Sequence, residues 1–237
     1  QPVAISEHAD IQAILLGMAA RLETLRALNF AVANHADLAR SSVDPAVQVE
    51  ATELNGWLLP IVKTLGGEAA FDNASDAIQI LGGAGYTREW PVEQCLRDAR
   101  VLTIFEGTTG MQAQDLLLRR LVKGGESYRA FIAIARKEVA CLPTLVALEA
   151  TAERLSDPQL SRRDLEAAAT PFLRLATLAA QGWVAARLAR LADDTPEGKH
   201  LSAAARYFLS DLASRADFAA RQVLPDARRL TAFGDLL

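Results

Sequence analysis

The sequence predicts an all-α protein, and three observations lead there. Ala and Leu dominate a chain of 237 residues in which aromatics make up only 6%. Both lose little entropy in a helix, whereas β-branched and aromatic side chains lose more. Apolar residues also recur at spacings of three and four, as in Ile11, Ile14, Leu15, Met18, Leu22, Leu25 and Leu28, while no strand-like alternation is sustained.

The elements follow in order. Ser6 is placed to cap a helix over about 7–40. Ser41-Ser42-Val43-Asp44-Pro45 stops it and starts a second, with Asp44 as cap and Pro45 in the first turn. That second helix is expected to kink near Pro60 and end at Gly66-Gly67. A third covers about 68–81 and stops at Gly82-Gly83-Ala84-Gly85, and a short segment follows from Pro91 to Arg100. Another helix spans about 109–122, and Lys123-Gly124-Gly125-Glu126 is the strongest boundary in the chain. Three more helical patterns cover about 127–155, 161–193 and 197–223. Leu173, Leu175, Leu178 and Trp183 mark one apolar face, and Tyr207, Phe208, Leu212 and Phe218 another. The division is into a helical bundle, 1–125, and an additional small helical domain, 126–237.

Charge and composition exclude several classes. The formal charge is 25 minus 29, or −4, with both signs interspersed; without a basic stripe, nucleic acid is not an expected partner. No apolar run reaches the ~18 residues of a membrane span. Cys95 and Cys141 have no CxxC context and read as buried, reduced thiols of a cytoplasmic chain in preference to a disulfide. His35 and His200 have no neighbouring ligand pattern, so no metal is expected. The start, Gln1-Pro-Val-Ala-Ile-Ser, lacks Met and a basic leader and reads as the interior of a longer protein.

Two glycine-rich loops interrupt the helices. In Gln79-Ile80-Leu81-Gly82-Gly83-Ala84-Gly85-Tyr86 the glycines either end a helix or let a phosphate approach the backbone. It follows a helix, so it is not the strand-to-helix dinucleotide fingerprint. In Glu106-Gly107-Thr108-Thr109-Gly110, Thr108 or Thr109 is a helix cap with Glu106 near the positive end of the dipole. The same arrangement suits a general base, because burial behind Leu102, Ile104 and Phe105 would raise the carboxyl pKa. Tyr86 and Trp90 are expected to fill space around the first loop. Arg97 and Asp98 are expected to hold their segment against the bundle.

Taken together, "QILGGAGYTREWPVEQCLRDARVLTIFEGTTGMQ" resembles the C-terminal domain of the acyl-CoA dehydrogenases. The shared elements are Gln-x-x-Gly-Gly-x-Gly-Tyr, Leu-Arg-Asp and Ile-Phe-Glu-Gly-Thr, and the resemblance extends back to Ile5-Ser6-Glu7-His8, covering residues 1–122. The added C-terminal half resembles a subgroup that includes 3-methylthiopropanoyl-CoA dehydrogenase. The resemblance implies FAD as cofactor and an acyl-CoA thioester as substrate. It also implies a homodimer or homotetramer, with electron-transfer flavoprotein as electron acceptor. Glu106 matches the glutamate that takes the α-proton while the β-hydrogen leaves as hydride to the flavin, and Gly107 lies beside the substrate. Gln79, Ile80, Leu81, Gly82 and Gly83 match the segment that contacts the flavin's ADP portion across a subunit interface. Thr108, Thr109 and Gly110 match the segment along the same cofactor, and His8 matches a histidine touching the neighbouring subunit's flavin. Ala9 and Gly110 depart from the pattern, which commonly has glutamine at both places.

By the same resemblance, an N-terminal helical domain, a β-barrel domain and the first helix of the bundle, with a cofactor-contacting arginine after it, would precede this sequence. Residues 1–237 alone would then be inactive. Two other functions fit the residues: an acyl-CoA oxidase, and a non-catalytic helical module that pairs with a chain carrying the missing domains.

Overall fold

The computed structural model describes residues 3–223, and among them every regular element is helical. After a 3₁₀ turn, Ile5–Glu7, come α1 (Ala9–Ser41), α2 (Pro45–Leu81), a single turn α3 (Gly83–Tyr86), α4 (Val92–Val101) and α5 (Thr109–Gln114). A π-helical segment, Asp115–Gly124, continues α5. Then follow α6 (Glu126–Glu138), α7 (Pro143–Leu155), α8 (Arg162–Leu191), α9 (Pro196–Ser210) and α10 (Leu212–Gln222).

The start of α1 differs from expectation. Its N-cap is His8, with no side-chain cap, and Ser6 instead uses its carbonyl to accept from Gln12 Nε2 at 3.0 Å. The next junction is as the residues suggest, with Asp44 Oδ1 accepting from Ala46 N at 2.8 Å and Pro45 opening α2.

α2 neither ends at Gly66-Gly67 nor gives way to a third helix; it runs unbroken through both glycines and through Pro60. Its middle is buried nearly all round, including Leu54, Trp57, Leu58, Pro60 and Ile61, so tertiary packing outweighs the local breakers. Gly67 has a packing role. A Cβ there would stand 2.8 Å from Thr103 Cγ2 and 3.1 Å from the Leu102 carbonyl carbon.

The expected helix over 127–155 is two. Pro143 forces Leu142 into an extended conformation (φ −73°, ψ 124°) and opens α7. The last pattern divides at Asp211. Phe208 and Leu212 enter the core from it, but Tyr207 and Phe218 are exposed. The pattern over 161–193 forms α8, capped by reciprocal Ser161 and Asp164 hydrogen bonds.

The core is organised around Trp57 of α2, which is fully buried. Its ring lies 5.3 Å from Tyr128, 6.1 Å from Phe131 in a stacked arrangement, and 6.2 Å from Phe172 edge-on. Phe131 in turn meets Trp183 at 5.9 Å, and Trp183 Nε1 donates to Glu138 Oε2 at 2.8 Å. Gln181 Nε2 donates to Thr24 Oγ1 at 3.0 Å, a buried polar link between α8 and α1. One buried cluster therefore runs through helices on both sides of residue 125. Gly125 itself takes φ +84° where the π segment turns into α6.

Cys95 and Cys141 are exposed free thiols, not buried ones. No helix among the described residues is long and apolar enough to cross a membrane.

Candidate active site

α1 and α2 form an antiparallel hairpin whose register is fixed by polar contacts. Arg21 Nε donates to Asn73 Oδ1 at 2.8 Å, Arg21 also pairs with Asp76, and Asn73 Nδ2 reaches the Met18 carbonyl. A step toward the start of α1 is thus a step toward the end of α2. That register puts His8 at the same end of the hairpin as Gly82 and Gly83.

The glycine turn closes α2 at that end. Gly82 takes φ +59° as C-cap, which a side chain would disfavour. The single turn Gly83–Tyr86 then folds back on α2. It can do so because Gly85 lacks a Cβ, which would lie 2.8 Å from Leu81 Cβ and 3.0 Å from the Ile78 carbonyl oxygen. A Cβ on Gly82 or Gly83 would meet nothing within 4 Å. Gln79, Gly82 and Gly83 are exposed, and Ile80 and Leu81 half-buried. Tyr86 and Trp90, expected to pack here, are 81% and 50% exposed.

α4 leads from the glycine turn to the acidic one. Arg97 and Asp98 do not tie it to the bundle. Arg97 Nε donates to Glu93 Oε2 at 3.0 Å and Asp98 accepts from Gln94, both within α4. What ties the end of α4 down is α2: Lys63 Nζ donates to the Leu102 carbonyl at 2.7 Å and lies 5.0 Å from the Phe105 ring centroid.

The turn then reverses at Glu106 and Gly107, with φ +55° and +97°. Glu106 is the one non-glycine residue among those described with positive φ, a conformation that costs about 1–3 kcal/mol and tends to persist where function requires it. Thr109 N donates to the Thr103 carbonyl at 3.2 Å across the reversal. Thr108 Oγ1 caps α5 by accepting from Met111 N at 3.3 Å, so the capping expectation falls on Thr108. Gln112 Nε2 covers Gly107, where a Cβ would approach it to 2.7 Å.

The expected burial of Glu106 is not found. Its side chain is exposed, and Ile104 and Phe105 are themselves 53% and 44% exposed. Leu102 is half-buried and Thr103 buried, but Ile104 and Phe105 turn their apolar surface outward and build no wall over the carboxylate. Glu106, Thr108 and Gly110 are open to solvent, with Gly107 and Thr109 half-buried between them. Gln79 to Gly83 lie at the opposite end of α4, a ten-residue helix about 15 Å long.

Lys63, Gly67 and Gln112 shape this turn without any pattern in the sequence announcing them. The available signal was a lysine in the otherwise apolar run Trp57-Leu-Leu-Pro-Ile-Val-Lys-Thr-Leu65. Among the described residues no three His, Cys, Asp or Glu side chains are grouped to hold a metal ion.

The fold is thus a helical bundle that presents a strained glutamate turn and an open glycine turn at the two ends of one short helix. Residues 3–121 match the family described as acyl-CoA dehydrogenase, C-terminal domain. The chain therefore belongs to the acyl-CoA dehydrogenase family. It is 38% identical over 122 residues to a broad-specificity linear acyl-CoA dehydrogenase, FadE5, of Mycobacterium tuberculosis, covering 51% of this chain and 20% of that protein. It is 34% identical over 256 aligned positions to 3-methylmercaptopropionyl-CoA dehydrogenase of Ruegeria pomeroyi, covering 99% of this chain and 43% of that protein. A butyryl-CoA dehydrogenase of Syntrophomonas wolfei is 31% identical over 132 residues, 55% of this chain and 22% of that protein. The chain spans less than half the length of these relatives.

Proposed function

We propose that this chain is the C-terminal part of a flavin-dependent acyl-CoA dehydrogenase and that Glu106 is its general base. The observation that carries the reading is the Glu106-Gly107 reversal. It uses backbone strain to present a carboxylate outward. Glu106 takes the proton from Cα of the acyl group, so that the C–H bond breaks and the carboxylate becomes a carboxylic acid. Bound FAD would supply the acceptor for the hydride leaving Cβ.

The residues available fit such a cofactor. Open space above Gly82 and Gly83 leaves their backbone accessible to a phosphate-bearing ligand, and the exposed Gln79 lies on the preceding turn. Both stand some 15 Å along α4 from Glu106. The family resemblance implies a symmetric assembly in which Gln79 to Gly83 and His8, at one end of the hairpin, serve a second copy's cofactor. Thr108 to Gly110 would serve the chain's own. Exposed Tyr86, Trp90, Ile104, Phe105 and Met111 supply apolar surface for such contacts. In this reading residues 126–237 act in packing, which the ring stack of Trp57 on Phe131 supports, and in subunit contact. Electron-transfer flavoprotein is the electron acceptor in this proposal.

The test is turnover by the full-length protein of straight-chain and branched saturated acyl-CoA thioesters with an artificial electron acceptor. The trans-enoyl thioester is the expected product. No product from any member of the panel would sink the assignment, and stoichiometric hydrogen peroxide without an added acceptor would reassign it as an oxidase.

A further inference from the structure

The turn that carries Glu106 is held to α2 at two points, four residues apart on one helical face. At the first, Lys63 Nζ donates to the Leu102 carbonyl at 2.7 Å. Leu102 is the C-cap of α4, so its carbonyl belongs to the negative pole of that helix, where a cation is stabilised. The same ammonium lies 5.0 Å from the Phe105 ring centroid, within cation–π range. At the second point Gly67 lets the backbone of Leu102 and Thr103 approach so closely that a Cβ would stand 2.8 Å from Thr103 Cγ2. Thr103 in turn accepts from Thr109 N at 3.2 Å, closing the loop from its far side. Between these fixed points the chain has to reverse, and it does so through the positive φ of Glu106.

We infer that Lys63 is a positioning residue for Glu106: by pinning the Leu102 carbonyl and the Phe105 ring it holds the carboxylate in its outward geometry. The inference rests on the reading of Glu106 as the base. Lys63 is half-buried. Loss of its charge frees two consecutive parts of the turn at once, and the strained residue beyond them relaxes.

The experiment uses the full-length, flavin-loaded enzyme with Lys63→Met, which keeps an unbranched side chain and removes the donor and charge. Flavin reduction by a saturated acyl-CoA should slow about 10- to 100-fold, the effect of a misplacement of about an ångström. KM should change by less than about threefold, since ground-state binding is untouched. Hydrogen exchange at the amides of residues 102–107 should quicken while that of α8 stays unchanged, and Lys63→Arg should restore part of the rate. In a Glu106→Gln background Lys63→Met should cost nothing further, because it acts through the group already removed. Wild-type reduction and exchange in Lys63→Met would overturn the inference, as would the same slowing in both backgrounds. If Lys63→Met does not fold, Phe105→Leu takes its place, with slower reduction expected and an unchanged rate overturning. Glu106→Gln at the wild-type rate would sink the base assignment itself. An inactive Glu106→Gln beside a fully active Lys63→Met would sink only the role of Lys63.

Discussion

Trp57 and Phe131 stack at 6.1 Å with their planes 18° apart, both fully buried, one in α2 and the other in α6. The contact joins the part of the chain that carries the glutamate turn to the helices beyond residue 125. Phe131 also meets Trp183, so one ring links three helices. Phe131→Ala should destabilise by about 3–5 kcal/mol. Thermal unfolding followed by circular dichroism checks this, and should show one cooperative transition moved downward, with no separate loss of the C-terminal helices.

Gly83 and Gly85 should answer differently to the same substitution. Gly85→Ala drives a methyl into Leu81 and the Ile78 backbone and should cost about 1–3 kcal/mol. Gly83→Ala meets no atom and replaces a poor helix former by a good one, so stability should be unchanged or gain a few tenths of a kcal/mol. If a cofactor lies against that backbone, Gly83→Ala will nevertheless lower flavin content. Melting temperature and the flavin-to-protein absorbance ratio, measured together, separate the two effects.

Glu68 on α2 provides a pH test. It lines a cavity of about 230 Å³ with Asp72, Arg21, Arg174 and Gln181. Burial raises its carboxyl above the ordinary value of 4.5, reinforced by Asp72 and opposed by Arg174 and Arg100. A carboxyl raised on folding contributes stability that is present below the unfolded value and lost as pH rises through the folded one. Once the pH exceeds the raised value, ionised Glu68 therefore detracts from stability, and Glu68→Gln should raise the melting temperature there. The gain should vanish once the pH falls below the ordinary carboxylate range. A gain that is independent of pH would show that the carboxylate's ionisation is not the cause.

The all-α fold was legible because Ala and Leu periodicity reports local structure, and the Asp44-Pro45 start of α2 was legible because capping is local. Gly66-Gly67 misled for the opposite reason. A glycine pair reads as a helix end from the chain alone, and only the closeness of Leu102 and Thr103 shows what Gly67 is for. The Glu106 turn was found through its residues, but its exposure was not, since burial depends on what lies opposite. Cys95, Tyr86 and Trp90 belong with it, being apolar or weakly polar side chains assigned to an interior that this chain does not build around them. Lys63 stood out only as a lysine in an apolar run, and its role was not legible because its partner is a main-chain carbonyl 39 residues away.

The central claim is that Glu106 removes the α-proton, and Glu106→Gln tests it most directly because it keeps size and hydrogen bonding while removing the base. The measurement is the rate of flavin reduction when the full-length variant, with its flavin content verified, is mixed with a saturated acyl-CoA that the wild type oxidises. Full flavin content is expected, with a rate lowered on the order of 10²–10⁴-fold or more. Reduction at the wild-type rate would contradict it.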